Sequence, residues 1–128
     1  MSQFLEPLKV ELMNDGDLWM VLEEMDYEVG NVGSGEKIEV PMGMMTDFGS
    51  VPKPLWGIIS PIGRATRGFV LHDYLYQQQT YTRFKSDNIL LEALEVLGLN
   101  WFKRWSIYLG VRAGGWVAWN GHTKEKNK

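Results

Sequence analysis

The spacing of hydrophobic and polar residues changes once along this chain, from a strand-like period to a helical one. Apolar residues alternate with charged ones over 8–12, turn-forming residues fill 14–17, and a second hydrophobic run covers 18–22. A period of two is typical of half-buried strands, so these segments predict a β-hairpin. A third strand is predicted over 37–40, after the glycine-rich turn at 30–35, and completes a small antiparallel meander.

The second part of the chain has the spacing of helices. Residues 41–63, between the two parts, include eight prolines and glycines and predict a long loop. Apolar residues then recur every three or four positions over 65–76 and again over 89–97, which predicts two antiparallel helices joined by a short turn. Thr82 has the position of an N-cap for the second of these helices, and Gly98 has the position of its C-terminal stop.

A third helix is predicted to begin near Asn100, and the polar residues 123–128 are predicted to form a frayed tail. The predicted fold class is therefore α+β, with a small antiparallel β-meander followed by a long loop and three helices. The chain has 128 residues, of which 45% are hydrophobic, and this size and apolar content suit one domain. We expect that domain to cover residues 1–122.

Composition and charge exclude several kinds of site. The chain has no cysteine, which excludes disulfides, thiolate metal ligands and cysteine nucleophiles. A net charge of −3 argues against general electrostatic binding to duplex nucleic acid. The sequence has neither the pattern of a secretory signal nor an apolar run near the length of about 18 residues that a membrane span needs. We therefore expect a soluble protein without a membrane span.

Three short motifs contain most of the residues with catalytic or metal-binding chemistry. They are TDFGSVP at 46–52 in the predicted loop, HDYLY at 72–76 in the first helix and RFKSD at 83–87 at the start of the second. Together and in this order they resemble the domain-of-unknown-function family numbered 1353, whose pattern is T-D-x-x-S-V-P, H-D-x-L-Y and R-x-x-x-D. The resemblance covers about residues 8–120. It implies a phage or prophage origin, and it implies no established reaction.

The polar residues of these motifs are predicted to form one site. His72 and Tyr76 share a face of their helix, Asp73 projects about 100° away, Asp87 lies in the first turn of the next helix, and Asp47 arrives from the loop. Three carboxylates and a histidine suit a divalent cation such as Ca²⁺, Mg²⁺, Mn²⁺ or Zn²⁺, and no organic cofactor is expected. The predicted catalytic residues are His72, Asp73 and Tyr76, the predicted metal ligands are Asp47, Asp73 and Asp87, and Ser50 and Arg83 are predicted to support them.

Structural roles for the same residues stay open at this point. Asp87 is also explained by the positive end of its helix, Ser50 by a hydroxyl in a turn, and Arg83 by an ion pair with a carboxylate. His72 is also explained as a buried side chain that is hydrogen-bonded to Asp47 or to a backbone carbonyl. Each residue type in the three motifs therefore fits either a catalytic site or a structural network.

Three functions follow from these alternatives. The first is a phage-encoded, metal-dependent hydrolase that acts on cell wall or lipid, with His72 as general base and the host envelope as its substrate. The second is a non-enzymatic virion, tail or assembly protein that binds other phage structural proteins, in which the His/Asp cluster locks the loop onto the helices and the tryptophan-rich C-terminal part is a docking surface. The third is an inhibitor of a host protein. In each case the protein is made in the host cytoplasm, and the second function adds incorporation into the virion.

Overall fold

The structure is a computed structural model, and its contacts divide the chain into two compact units, Met1–Asp47 and Phe48–Lys128. The residues it describes are 10–12, 19–30, 35–46 and 65–126. Within these residues the first unit consists of strands and the second of helices, so the fold class is α+β, as predicted. The single domain that the sequence predicts over 1–122 stays a prediction.

Five short strands form two antiparallel sheets in the described part of the first unit. They are β1 (Val10–Leu12), β2 (Trp19–Val21), β3 (Met25–Glu28), β4 (Lys37–Val40) and β5 (Met45–Thr46). One sheet has the order β1-β2-β5, and the other pairs β3 with β4. The predicted hairpin is confirmed, because β1 pairs with β2 in a register that sets Val10 opposite Val21.

The strand pairing differs from the predicted meander. β4 covers the predicted residues 37–40, but its neighbour is β3, and β2 pairs with β5 instead. β3 has no clear alternating pattern because Met25, Asp26 and Tyr27 are all buried in succession. Asp26 is accommodated by an ion pair, since its Oδ2 lies 3.1 Å from Nζ of Lys37 on the paired strand. An acidic residue among consecutive buried positions removes the period that predicts a strand.

β5 lies inside the stretch 41–63 that the sequence predicts to be loop. A turn with Gly43 at a φ of 89° brings the chain back to β2, where the N–H of Val21 donates to the carbonyl of Met44 at 2.9 Å. The N–H of Gly43 donates in turn to the carbonyl of Val21 at 2.7 Å. A positive φ costs glycine little, so the residue that argued against regular structure is the one that permits this strand. Residues 47–64 lie outside the described residues.

Four helices form the described part of the second unit. They are α1 (Thr66–Gln78), α2 (Arg83–Val96), α3 (Trp101–Gly114) and α4 (Trp116–Lys126). The first three confirm the predicted helices and two of their boundaries. The side chain of Thr82 accepts a hydrogen bond from the N–H of Lys85 at 3.1 Å, and that of Asn100 accepts one from the N–H of Lys103 at 2.9 Å. Both side chains satisfy backbone donors that the first turn of a helix leaves unpaired.

The antiparallel packing of α1 and α2 positions the site. Gly68, near the start of α1, lies close to Leu94, near the end of α2, and His72 farther along α1 contacts Asp87 near the start of α2. The core of this unit is formed by fully buried apolar side chains, which include Phe69, Leu71, Leu90, Leu94, Ile107 and Val111. The C-terminal half of α1 therefore faces the N-terminal half of α2, and the polar cluster described below lies there.

α4 is a fourth helix, whereas the sequence predicts only three helices followed by a frayed tail. It extends to Lys126, so residues 123–126 are helical. Its anchor is Gln79, which follows α1 with a left-handed φ of 54°. The Gln79 amide nitrogen donates to the carbonyl of Trp119 at 2.8 Å, and the amide oxygen accepts from the Thr123 hydroxyl at 3.0 Å. α4 thus depends on tertiary contacts, which a local sequence pattern does not reveal.

Candidate functional site

A fully buried carboxylate, that of Asp87, accepts hydrogen bonds from side chains on two other helices. Its Oδ1 accepts from Nε2 of His72 at 2.7 Å and from the hydroxyl of Tyr76 at 2.6 Å. Its Oδ2 accepts from Nη1 of Arg112 at 2.8 Å, and Nη1 of Arg83 lies 3.6 Å from the same oxygen. We call these five residues the Asp87 cluster. It joins α1, α2 and α3 through one carboxylate.

Helix geometry explains how the cluster forms from neighbouring turns. His72 and Tyr76 are four residues apart on α1, and their ring centroids are 4.2 Å apart. Arg83 and Asp87 have the same separation on α2. Residues at i and i+4 lie on one helix face, so each helix presents two polar groups to the other. Asp87 is the fifth residue of α2 and not in its first turn, which weakens the explanation of this acid by the helix dipole alone.

The protonation of the cluster follows from the carboxylate at its centre. Burial raises the pKa of Asp87, but the hydrogen bonds and charge of His72, together with the hydrogen bonds from Tyr76 and Arg112, outweigh burial and leave the pKa below its ordinary value. An ionised carboxylate can only accept, so we assign a hydrogen to Nε2 of His72. Burial and the hydrogen bond to Asp87 raise the pKa of Tyr76, so that the phenol stays protonated and donates.

The lowered pKa of Asp87 predicts a pH-dependent contribution to stability. A carboxyl group whose pKa is lower in the folded protein stabilises the fold above its unfolded pKa, about 3.9 for Asp, and this contribution is lost as the pH falls through the folded value. We expect the difference in unfolding free energy between wild type and Asp87→Asn to be constant from pH 7 to pH 5 and to shrink below about pH 4. Urea unfolding of both proteins across this range measures the difference. A difference that is unchanged at pH 3 would contradict the prediction.

Arg83 supports the cluster in a second way, at the end of α3. Its Nη1 donates to the carbonyl of Val111 at 3.0 Å, and its Nη2 donates to the carbonyl of Arg112 at 3.1 Å. The last carbonyls of a helix lack partners within the helix, and a cation at this end also suits the helix dipole. The Val111 carbonyl also accepts from the N–H of Gly115 at 2.8 Å, so Arg83 adds a second bond there and one to the carbonyl of Arg112, while its charge lies beside the carboxylate on α2.

Two residues near the end of α3 complete the geometry, and neither is among the predicted site residues. No local pattern connects Arg112 with a carboxylate 25 residues earlier in the chain. Gly115 leaves room for the cluster, since a Cβ there would lie 2.6 Å from the hydroxyl of Tyr76 and 2.5 Å from the carbonyl of Val111. The paired glycines at 114–115 were the available signal of such a close approach.

The remaining predicted site residues are not all placed by the structure. Asp73 is buried on α1, one residue after His72 and three before Tyr76, and its assignment as a catalytic residue and metal ligand stays a prediction. Asp47 and Ser50 lie outside the described residues, so their roles stay predictions. Among the residues that the structure does describe, no three Asp, Glu or His side chains are grouped so that they could hold a metal ion.

Comparison with known proteins gives a family and no function. The family described as Protein of unknown function (DUF1353) matches residues 19–111, which is more than half of the chain. The matched region includes all three motifs and four of the five residues of the Asp87 cluster, and it ends one residue before Arg112. No curated protein and no solved structure matches the chain significantly. By this match, the chain belongs to the DUF1353 family.

Proposed function

We propose that this protein is a non-enzymatic structural or assembly component of a phage or prophage, and that the Asp87 cluster is a structural network. The observation that carries the proposal is the occupancy of Asp87. Both of its oxygens accept strong hydrogen bonds, from donors on α1 and α3, at a position with no solvent exposure. The expected partners are other phage structural proteins, and the expected location is the virion after synthesis in the host cytoplasm.

The occupancy argument follows from the number of acceptor positions. A carboxylate has about four lone-pair positions, and a cation needs at least one of them. In Asp87 the hydrogen bonds from His72 and Tyr76 use two positions on Oδ1, and the bond from Arg112 uses a third on Oδ2. Nη1 of Arg83 lies 3.6 Å from the same Oδ2. Two positive charges already compensate the carboxylate. A divalent cation would have to displace these donors and would then lie beside both guanidinium groups.

Burial supports the same conclusion for the other members of the cluster. A general base must come within about 3 Å of the proton that it abstracts, directly or through one water. The side chains of His72 and Tyr76 have no solvent exposure, and both are hydrogen-bonded to Asp87. Buried polar groups with complete hydrogen bonding give a rigid arrangement of the elements that carry them. This property suits a protein that presents a fixed surface to partners.

A metal-dependent hydrolase is the second candidate, and one specific contact favours it. A histidine that binds a metal usually donates its other ring N–H to a carboxylate, and His72 donates to Asp87 in this way. In this candidate the metal ligand on α1 would be Nδ1 of His72, with Asp47 and Asp73 as further ligands and Asp87 as the orienting group. The substrate would be cell wall or lipid.

Thermal melts with added cations separate the two candidates. For the structural role we expect the melting temperature of the wild-type protein to be the same in EDTA and in excess Ca²⁺, Mg²⁺, Mn²⁺ or Zn²⁺, because the acceptor oxygens of Asp87 are already occupied by protein donors. A cation at a hundred times its Kd would stabilise the native state by about 2.7 kcal/mol, which is readily measured. Stabilisation by one cation that is lost in His72→Gln would favour the hydrolase and contradict our proposal.

A further inference from the structure

The outer side of α3 is an exposed apolar surface. The side chain of Trp101 is 66% exposed, that of Phe102 63%, that of Trp105 37% and that of Leu109 61%. At 100° per residue all four positions fall within one arc of about 100° on the helix. Single exposed apolar residues are ordinary, but a contiguous group marks an interaction surface. We call these four residues the outer face of α3.

The opposite side of the same helix is also apolar, and it is already buried. Ile107 and Val111 have no solvent exposure and pack in the core of the helical unit. Their mean direction lies about 150° from the centre of the outer face. A surface helix usually has one apolar stripe and one polar side. α3 has two apolar stripes, and packing within the described residues accounts for only one of them.

The net charge of α3 and α4 indicates what covers the outer face. α3 and α4 carry five basic residues and one acidic residue, a net charge of +4, in a chain whose net charge is −3. Arg112 is paired with the buried Asp87, which still leaves a net charge of +3. Lys103 and Lys124 are exposed. Tryptophan and phenylalanine on one side of a helix, with lysine and arginine outside that side, are typical of helices that lie in the interface of an anionic membrane.

We propose that the outer face of α3 docks on an anionic lipid surface. The helix would lie in the plane of the surface, since Trp101, Trp105 and Leu109 are successive turns of one line and span about 12 Å. Within the described residues no helix has the length and hydropathy to cross a membrane, and peripheral docking needs none. The proposal does not depend on the function proposed above, because none of the four residues of the outer face belongs to the Asp87 cluster.

A second copy of the chain is a less suitable partner. Symmetric pairing would bring the same face of two chains together, and each carries the excess positive charge of α3 and α4. Charge of one sign opposes such a pairing, whereas anionic lipid gains about one favourable interaction per basic residue near the surface. The charge therefore favours lipid over self-association.

Vesicle binding tests the proposal. We expect the 128-residue protein to co-sediment with vesicles that contain phosphatidylglycerol and phosphatidylcholine in equal parts, and to bind pure phosphatidylcholine vesicles at least tenfold more weakly. High salt should also weaken binding. The double variant Trp101→Ser, Leu109→Ser should bind at least tenfold more weakly, because both side chains would enter the interface. Lys103→Gln should reduce binding by up to about fivefold, because Lys103 projects about 150° from the centre of the outer face and is attracted to the anionic surface only at a distance.

The controls replace an exposed apolar residue and an exposed lysine elsewhere on the chain. Met42 is 71% exposed in the strand unit, and Met42→Ser should bind as the wild type does. Lys85→Gln on α2 removes a charge away from the outer face and should also leave binding unchanged. No binding to phosphatidylglycerol vesicles would overturn the proposal. A dimer in light scattering that the Trp101→Ser, Leu109→Ser variant abolishes, without vesicle binding, would assign the face to a second copy and would equally overturn it.

Discussion

Replacing Asp87 with Asn is expected to lower the melting temperature by roughly 10 °C, through a loss of about 3 kcal/mol in the free energy of unfolding. The amide has the shape of the carboxylate, but it has no charge and one of its two polar atoms is a donor. In one orientation this donor faces Nε2 of His72 and the Tyr76 hydroxyl, and in the other it faces Arg112. The first orientation needs the other tautomer of His72 and the Tyr76 oxygen as acceptors, and the second sets a donor against a guanidinium, so either one loses the charge-assisted hydrogen bonds that the carboxylate accepts. Circular-dichroism melts at pH 7 measure the loss.

Glu95→Gln is the matched control for this substitution. It is the same chemical change on the same helix, but Glu95 is exposed, so we expect an effect within about 0.5 kcal/mol. An equal effect of both substitutions would contradict a structural role for the cluster. A variant Asp87→Asn that melts above the wild type in EDTA would instead indicate repulsion between carboxylates at an empty metal site.

The sequence predicted the parts of the cluster that depend on one helix and missed those that depend on packing. The spacing of His72 and Tyr76 and the cap at Thr82 follow from helix geometry, and the structure confirms them. The bond from Arg112 to Asp87 joins two consecutive helices at positions that are 25 residues apart. No periodicity determines which face of α3 meets α2, because both faces of α3 are apolar. The pairing of Arg112 with Asp87 is therefore visible only in the three-dimensional structure.

The same distinction explains the differences in the fold. α4 was not predicted because its contacts are tertiary, and they include the edge-on contact between Tyr76 and Trp119, whose ring centroids are 5.1 Å apart. The pairing of β3 with β4 was missed because buried Asp26 breaks the apolar pattern, and its compensating partner Lys37 is eleven residues away. Local patterns therefore predicted where most helices lie. They did not predict β3, because the buried Asp26 of this strand is paired with Lys37 on another strand.

α3 takes part in both proposals, because one of its sides packs in the core of the helical unit and the other is exposed. Arg112 lies at the boundary, where its guanidinium pairs with Asp87 and also lies 5.2 Å from the ring centroid of the exposed Phe84. The inner side is held by Ile107 and Val111 and by the hydrogen bonds of Arg83 to the last carbonyls of the helix. A helix that is fixed in this way can bind through its exposed aromatic side chains without the loss of conformational entropy that a mobile segment would incur.

Replacing Gly115 with Ala is expected to cost about 3 kcal/mol, which also lowers the melting temperature by roughly 10 °C. The dihedral angles do not cause this cost, because Gly115 has a φ of −67° and a ψ of −16°, a conformation that alanine adopts readily. The cost is steric. The new Cβ would lie 2.5 Å from the backbone carbonyl of Val111, 2.6 Å from the Tyr76 hydroxyl and 3.2 Å from Nη1 of Arg83, so the end of α3 would have to shift and both side chains would have to move away from Asp87.

Gly121→Ala provides the matched control, since it adds the same atom to an exposed position of the adjacent helix where no other atom lies within 4 Å of the new Cβ. Alanine is the better helix former, so this variant should be more stable than the wild type by up to about 1 kcal/mol. Urea unfolding of the two variants therefore gives shifts of opposite sign if Gly115 is retained for the room that it leaves beside the cluster. Equal stabilisation by both substitutions would show that the Tyr76 hydroxyl is not confined there, and the tight packing of the Asp87 cluster against the end of α3 would be refuted.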